Sequence, residues 1–162
     1  MHFNDLELCT YSAGPYDHRN WECPLKSVGW LEHSHPFQVG RCTDAFERRL
    51  VELVEQTRRS FRQYVFRGFY SCAFCEADGV TTGGAGWSQE ILLVPGVDCV
   101  YASPGAIAHY APSHGYQPPP EFMDAVLDCA DCGSERYLEA LRESNFGHEV
   151  PIETWEAWLA RT

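Results

Sequence analysis

The clearest hydrophobic pattern in the chain follows Thr43 and Asp44. Apolar residues recur there at spacings of three, four and seven, while charged residues take the other positions. This is the period of an amphipathic helix. Thr43 and Asp44 are both good N-cap residues, and Asp44 with Glu47 has the spacing of a capping box. We therefore predict a core-packing helix that begins here and buries one apolar stripe, formed by Phe46, Leu50, Leu53, Val54 and Phe61.

Strand-like patterns are shorter and lie on both sides of this helix. β-Branched, aromatic and aliphatic residues bounded by Gly or Pro predict strands at residues 27–32, 64–71, 87–94 and 98–102. The last two are joined by a turn around Pro95-Gly96-Val97-Asp98. The fold class we predict is α+β, with a small, mostly antiparallel sheet flanked by helices.

Helix signals return after the last predicted strand. Ser103-Pro104 has the order of an N-cap residue followed by proline at N1, which predicts a short helix. Residues 122–127 form a second amphipathic segment, and Ser134 is placed to cap a third helix. Trp155, Trp158 and Leu159 predict a short final helix.

Length and composition indicate one globular domain covering residues 1–162. The chain is 44% hydrophobic, which is enough for a packed core, and residues 1–25 are irregular but carry aromatic residues that can pack. The N-terminus has no signal-peptide pattern, and no apolar run approaches the length of a membrane span. We therefore expect a cytoplasmic protein that does not bind membranes.

Net charge narrows the range of partners. The formal charge is −11, and only one of the twelve basic residues is a lysine. Such a surface repels nucleic-acid phosphates and anionic lipid, which argues against a nucleic-acid-binding protein. It suits a basic protein partner instead.

The strongest chemical signal is a pair of cysteines followed by a pair of histidines. Cys72 and Cys75 are spaced C-x2-C, and His109 and His114 are spaced H-x4-H thirty-three residues later. Two thiolates and two imidazoles are a ligand set that Zn2+ prefers. Eight cysteines in a chain without an export signal also favour metal ligands or free thiols over disulfides.

Other assignments of the cysteines and histidines stay open. Cys72 and Cys75 could instead share a metal with Cys129 and Cys132, or all could be core residues that bind no metal. His33 and His35 could bind a metal only if further ligands converged on them. The spacing assigns no role to the remaining cysteines, which are Cys9, Cys23, Cys42 and Cys99.

Several catalytic or cofactor motifs are excluded by their spacing. The glycine-rich stretch at residues 79–86 has no Lys-Ser/Thr and no G-x-G-x-x-G, so we interpret it as a hairpin loop. H-E-x-x-H and the deaminase H-x-E pattern are absent. A thioredoxin-like role would need a helix after the first cysteine, and the glycine-rich sequence after Cys75 does not predict one.

Taken together, the motifs resemble those of a family of small bacterial proteins described as a domain of unknown function. The shared residues include His35-Pro36-Phe37, Arg67-Gly68, Cys72-x-Phe74-Cys75, and His109-Tyr110 leading to His114, Tyr116 and Phe122. The resemblance covers roughly residues 28–128, with the C-terminal helices of 134–162 outside it. It implies that Cys72, Cys75, His109 and His114 belong to a common motif and that Cys129 and Cys132 do not. The family pattern that the chain resembles has a histidine where this chain has Tyr70, so the resemblance leaves open whether a further imidazole belongs to the site.

The function that follows is a zinc-binding protein in which the metal is structural, because four protein ligands leave no coordination position for water. We expect a protein-interaction module, similar in kind to an immunity protein, more than an enzyme. The alternative is a metal- or thiol-dependent enzyme with an open coordination position near Cys72 and Cys75, beside Glu76, Glu90 or His35.

Overall fold

The computed structural model describes residues 2–10, 23–60, 72–79 and 90–144. Helices and a small sheet alternate along this part of the chain. In order they are β1 (Leu25–Ser27), α1 (Asp44–Ser60), α2 (Ala73–Ala77), β2 (Ile91–Gly96), β3 (Cys99–Pro104), α3 (Ile107–His114), α4 (Pro120–Asp128) and α5 (Glu135–Ser144). The predicted strand at 64–71, the glycine-rich loop beyond Gly79 and the predicted final helix at 155–159 fall outside the described residues.

β3 is the central strand of the three-stranded sheet. It pairs antiparallel with β2, from Ile91 opposite Pro104 to Gly96 opposite Cys99. It pairs parallel with the shorter β1, where Leu25 lies opposite Val100. The predicted α+β class is confirmed, and the parallel pairing of β1 makes the sheet mixed.

The first strand ends earlier than the predicted range of 27–32. β1 stops at Ser27, and Gly29 has a φ of +74°, a left-handed conformation that glycine adopts without strain and that a continuing strand cannot contain. A Cβ at Gly29 would also lie 2.8 Å from Cδ1 of Ile107. The glycine therefore turns the chain away from the sheet and lets α3 approach closely.

The prediction that Ser103-Pro104 opens a helix is wrong. Both residues belong to β3, and α3 begins at Ile107 with Ala106 as its N-cap. Ser103 is fully buried and lies opposite Leu92 in the ladder. Because Pro104 is the last residue of the strand, its missing N–H removes no hydrogen bond from the middle of the ladder.

The predicted first helix is confirmed as α1. The backbone N–H of Phe46 donates to Oγ1 of Thr43 at 3.2 Å, so Thr43 is the N-cap. The apolar stripe is buried through Phe46, Leu50, Leu53 and Val54, while Phe61 lies outside the described residues. The helix packs against α3, α4 and β2, which places it at the centre of the described core.

Residues 2–10 run beside β1 and extend the packed body. The backbone N–H groups of Leu6 and Cys9 donate to the carbonyl groups of Ser27 and Leu25, each at 2.7 Å. Trp30 Nε1 donates to the carbonyl of Ala102 at 2.8 Å, which ties the chain after β1 to the central strand. In the described parts of the chain, no helix is long and apolar enough to cross a membrane.

The connection between α4 and α5 is held against α1 by Arg49. Its Nη1 donates to Oδ1 of Asp131 at 2.8 Å, and its Nη2 donates to the carbonyl of Cys129 at 2.7 Å. The N–H of Cys132 donates to Oε1 of Gln56 at 2.9 Å. After this turn, Ser134 caps α5 as predicted by accepting the N–H of Tyr137 at 3.2 Å.

Replacing Arg49 with Met should destabilise the protein by about 1–3 kcal/mol, because a mostly buried cation that satisfies a carbonyl and a carboxylate would be lost. The side chain is 20% exposed, so solvent screens these contacts only partly. Arg48→Met is the matched control, since Arg48 is exposed on the same helix. Chemical denaturation should show a clear loss only for the Arg49 variant, and equal losses would contradict the assignment.

Candidate metal centre

The two cysteines and two histidines singled out by their spacing converge on one point. Their Sγ and Nε2 atoms all lie within 4.8 Å of one another. Cys72 Sγ is 3.2 Å from Nε2 of His114, Cys75 Sγ is 3.2 Å from Nε2 of His109, and the two Nε2 atoms are 3.2 Å apart. A tetrahedral zinc site with ordinary bond lengths has ligand–ligand distances of about 3.3–3.8 Å. These four residues could therefore hold a metal ion, and we call them the metal-competent group.

Short helix α2 sets the positions of the two thiols. Cys72 is its N-cap, with φ −72° and ψ 114°, and Cys75 lies one turn later. The N–H of Glu76 donates to the carbonyl of Cys72 at 3.0 Å, which closes that turn. The sequence did not predict a helix here, and its single turn is what brings two side chains three residues apart onto one side.

Helix α3 supplies both imidazoles, although five residues separate them. His109 lies in its first turn and His114 is its last residue, followed by Gly115 with φ +63° as the C-cap. Tyr116 anchors the C-terminal end of the helix. It is fully buried and donates its hydroxyl hydrogen to Asp5 at 2.8 Å. This anchor fixes the position of the preceding His114.

The surroundings of the four groups orient them further. His109 Nδ1 lies 3.1 Å from Oγ of Ser113, so a ring that binds metal through Nε2 can donate its other hydrogen to this hydroxyl. Phe74, between the two cysteines in sequence, contacts the ring of His114 at 5.2 Å and that of Phe37 at 5.4 Å between centroids. These aromatic contacts pack the turn of α2 against the end of α3.

Electrostatics favour neutral imidazoles in this position. Burial lowers the pKa of His109, and the nearby His114 lowers it further. Burial also lowers the pKa of His114, while Asp78 opposes that shift. Burial, followed by the Cys72 thiol, raises the pKa of Cys75. Neutral rings are the form that binds a metal, whereas the Cys75 thiolate would need a compensating cation.

The alternative ligands Cys129 and Cys132 lie in the turn held by Arg49 and are not part of this group. Burial raises the pKa of Cys129 to about 12 and that of Cys132 to about 11. Thr57 donates its hydroxyl hydrogen to Cys132 Sγ at 3.5 Å. Both therefore remain protonated thiols near neutral pH, and their surroundings are those of packed side chains.

The remaining cysteines occupy separate places in the fold. Cys9 and Cys99 are buried in the core. Cys23 Sγ donates to the carbonyl of Ser144 at 3.3 Å, and Cys42 Sγ to that of Tyr116 at 3.7 Å. In the described structure none of the four joins the metal-competent group.

Of the residues considered as neighbours of an open coordination site, Glu90 and His35 make other contacts. Glu90 is 2% exposed, and its Oε1 accepts a hydrogen bond from Nε of Arg58 at 2.6 Å. Glu76 is exposed on α2. His35 stacks on His2 with centroids 4.0 Å apart, while His33 contacts Phe74 at 5.9 Å.

Sequence reasoning missed Asp78, Ser113 and Phe74 as parts of this site. Asp78 influences the pKa of both Cys75 and His114. Ser113 lies four residues after His109, a spacing that faces it on a helix and that could have revealed the contact. Asp78 carried no such signal, because its position depends on how α2 ends.

One family matches most of the chain. The profile of a family described as a domain of unknown function (DUF7919) covers residues 1–127. This range contains all four members of the metal-competent group and ends before Cys129 and Cys132. No curated protein and no solved structure matches the chain. The chain therefore belongs to the DUF7919 family of domains of unknown function.

Proposed function

We propose that this protein binds one zinc ion through Cys72, Cys75, His109 and His114, and that the metal is structural. The observation that carries the proposal is the convergence of two Sγ and two Nε2 atoms within 4.8 Å. Zinc is the metal of choice because it accepts thiolate and imidazole in a tetrahedral shell and has no redox chemistry of its own.

A structural role is favoured over a catalytic one by the ligand count. A catalytic zinc keeps one position for water or substrate, so one of the four donors would have to stand apart from the others. His114 Nε2 instead lies within 3.2–3.4 Å of Cys72 Sγ, Cys75 Sγ and His109 Nε2. The metal's contribution is then to join α2 to α3 and hold their buried contacts.

The biological role we propose is that of a protein-interaction module with a basic partner. It is supported by the net charge of −11 and by the position of the carboxylates on α1. A shallow groove is lined by four carboxylates of α1 together with Arg48 and Val51 of the same helix and Pro112 of α3; the carboxylates are Asp44, Glu47, Glu52 and Glu55. A partner bound there would contact the helix that carries both histidines.

Elemental analysis of protein purified without added metal should find one zinc per chain. Cys75→Ser and His109→Ala should each lose most of it, because a tetrahedral thiolate–imidazole shell would be left with three ligands. Cys129→Ser is the matched control and should keep the metal. Metal-free wild-type protein that also fails to take up added zinc would remove the proposal, as would loss of zinc only on Cys129→Ser.

Removing the metal should lower the melting temperature substantially, since binding energy of a structural zinc is also folding energy. The measurement is thermal unfolding of wild-type protein before and after a zinc chelator, with zinc added back to restore the transition. Protein already lacking the site, such as Cys75→Ser, should not respond to the chelator. Unchanged wild-type melting after proven zinc removal would exclude a structural role.

Immobilised zinc-loaded protein should capture basic proteins that are released by raised salt, because exposed charges are screened at high ionic strength. Asp44→Asn with Glu47→Gln should reduce capture. Glu139→Gln with Glu143→Gln on α5 changes the charge equally and should have no effect. Equal losses for both pairs, or capture that is insensitive to salt, would contradict the proposed surface.

A further inference from the structure

A second cavity, built by different elements, lies between α4, α5, β1 and the turn that joins β2 to β3. It is half open to solvent and has a volume of about 520 Å3, which is within the usual size range of small-molecule sites. None of the four metal-competent residues lines it. Its apolar lining includes the buried Tyr101 and Tyr137 and, at the rim, the exposed Val97.

The wall is rigid where the turn meets the sheet. Tyr101 is 4% exposed, and the rings of Tyr101 and Phe122 meet edge to face at 5.5 Å. A Cβ at Gly96 would lie 2.5 Å from Cε2 of Tyr101, so the ring packs directly on the end of β2. A cavity with fixed walls loses little freedom when a ligand enters.

Five charged side chains of both signs line this cavity. Glu121, Asp124 and Asp128 are three and seven residues apart, which places them along one face of α4. Lys26 and Arg136 provide positive charge from β1 and α5. In the described part of the structure, the ion pairs involve none of these five residues.

This combination distinguishes the cavity from an acidic surface patch. Opposite charges that border one cavity without pairing can be joined by a ligand that carries both signs. Charge-assisted hydrogen bonds at its two ends would fix its orientation, and the aromatic wall would contact its apolar part.

We propose that this cavity binds a small zwitterion, a free amino acid or short peptide, with its ammonium group at the α4 carboxylates and its carboxylate at Lys26 and Arg136. This site is independent of the zinc centre. It gives the protein a ligand-binding function in addition to the metal-stabilised fold.

The test is binding of free amino acids and unblocked alanyl dipeptides to the zinc-loaded protein, measured by NMR saturation transfer and calorimetry. The N-acetylated and C-amidated forms of each probe lack one charge. At least one unblocked probe should bind, and blocking either end should weaken it about tenfold or more, as expected for a lost charge-assisted contact. Dipeptides binding more tightly than amino acids would identify a peptide site, and the reverse would identify an amino-acid site.

Variants assign each end of the ligand. Arg136→Gln should weaken binding of the unblocked probe about tenfold and leave binding of the amidated probe unchanged. Asp124→Asn should also weaken binding of the unblocked probe about tenfold, but it should leave binding of the acetylated probe unchanged. Arg142→Gln and Glu139→Gln on α5 are matched controls outside the cavity and should change nothing. All four positions are on exposed or half-exposed helix faces, so the variants should fold.

Three results would overturn the proposal. They are no binding of any unblocked probe, equal binding of blocked and unblocked probes, and binding of spermidine as tight as that of the best dipeptide. The last would mean that the carboxylates attract cations without a dipolar site. Zinc content measured on the same samples separates each of these three results from a failure of the metal centre, because the cavity variants should retain the metal.

Discussion

Two imidazoles five residues apart on one helix can meet only where that helix ends. Five residues turn an α-helix by about 500°, which leaves the two side chains about 140° apart. α3 resolves this by placing His109 in its first turn and His114 as its last residue, before Gly115 in the left-handed conformation. The buried Tyr116 then secures the end by bonding to Asp5. The metal-competent group depends on this ending, and through it on the packing of residues 2–10.

The parts of the fold that could be predicted are those with a local signal. The stripe of α1 and the Ser134 cap of α5 are determined within a few neighbouring residues, and both were found. The sequence also singled out the four converging side chains, because C-x2-C and H-x4-H are short spacings that are visible in the sequence and together supply a set of four metal ligands. Their ability to hold an ion is a property of the fold, whereas the identity of the ion stays a prediction.

The errors arise where tertiary contacts overrule a local pattern. Ser103-Pro104 has the order of a helix start, yet the pairing of Ser103 with Leu92 extends β3 through it. β1 ends early because Gly29 turns the chain with a φ of +74°, and Ile107 of a distant helix fills the space beside this glycine. The turn of α2 was missed because a five-residue helix has too few positions to show a period. Asp78 reaches the site only through that turn.

The metal-competent group also has a consequence for the topology of the chain. The contact between Cys75 and His109 joins residues 34 positions apart, and β2 and β3 both lie between them. An ion held there would close a loop of the chain that contains the antiparallel pair of strands. Closing a loop of this length costs about 4 kcal/mol of chain entropy, and the binding energy of the ion helps to offset that cost when the chain folds. The ion would thus couple the folding of α2 to that of α3, because neither half of the site holds it tightly until the strands between them have brought both halves together.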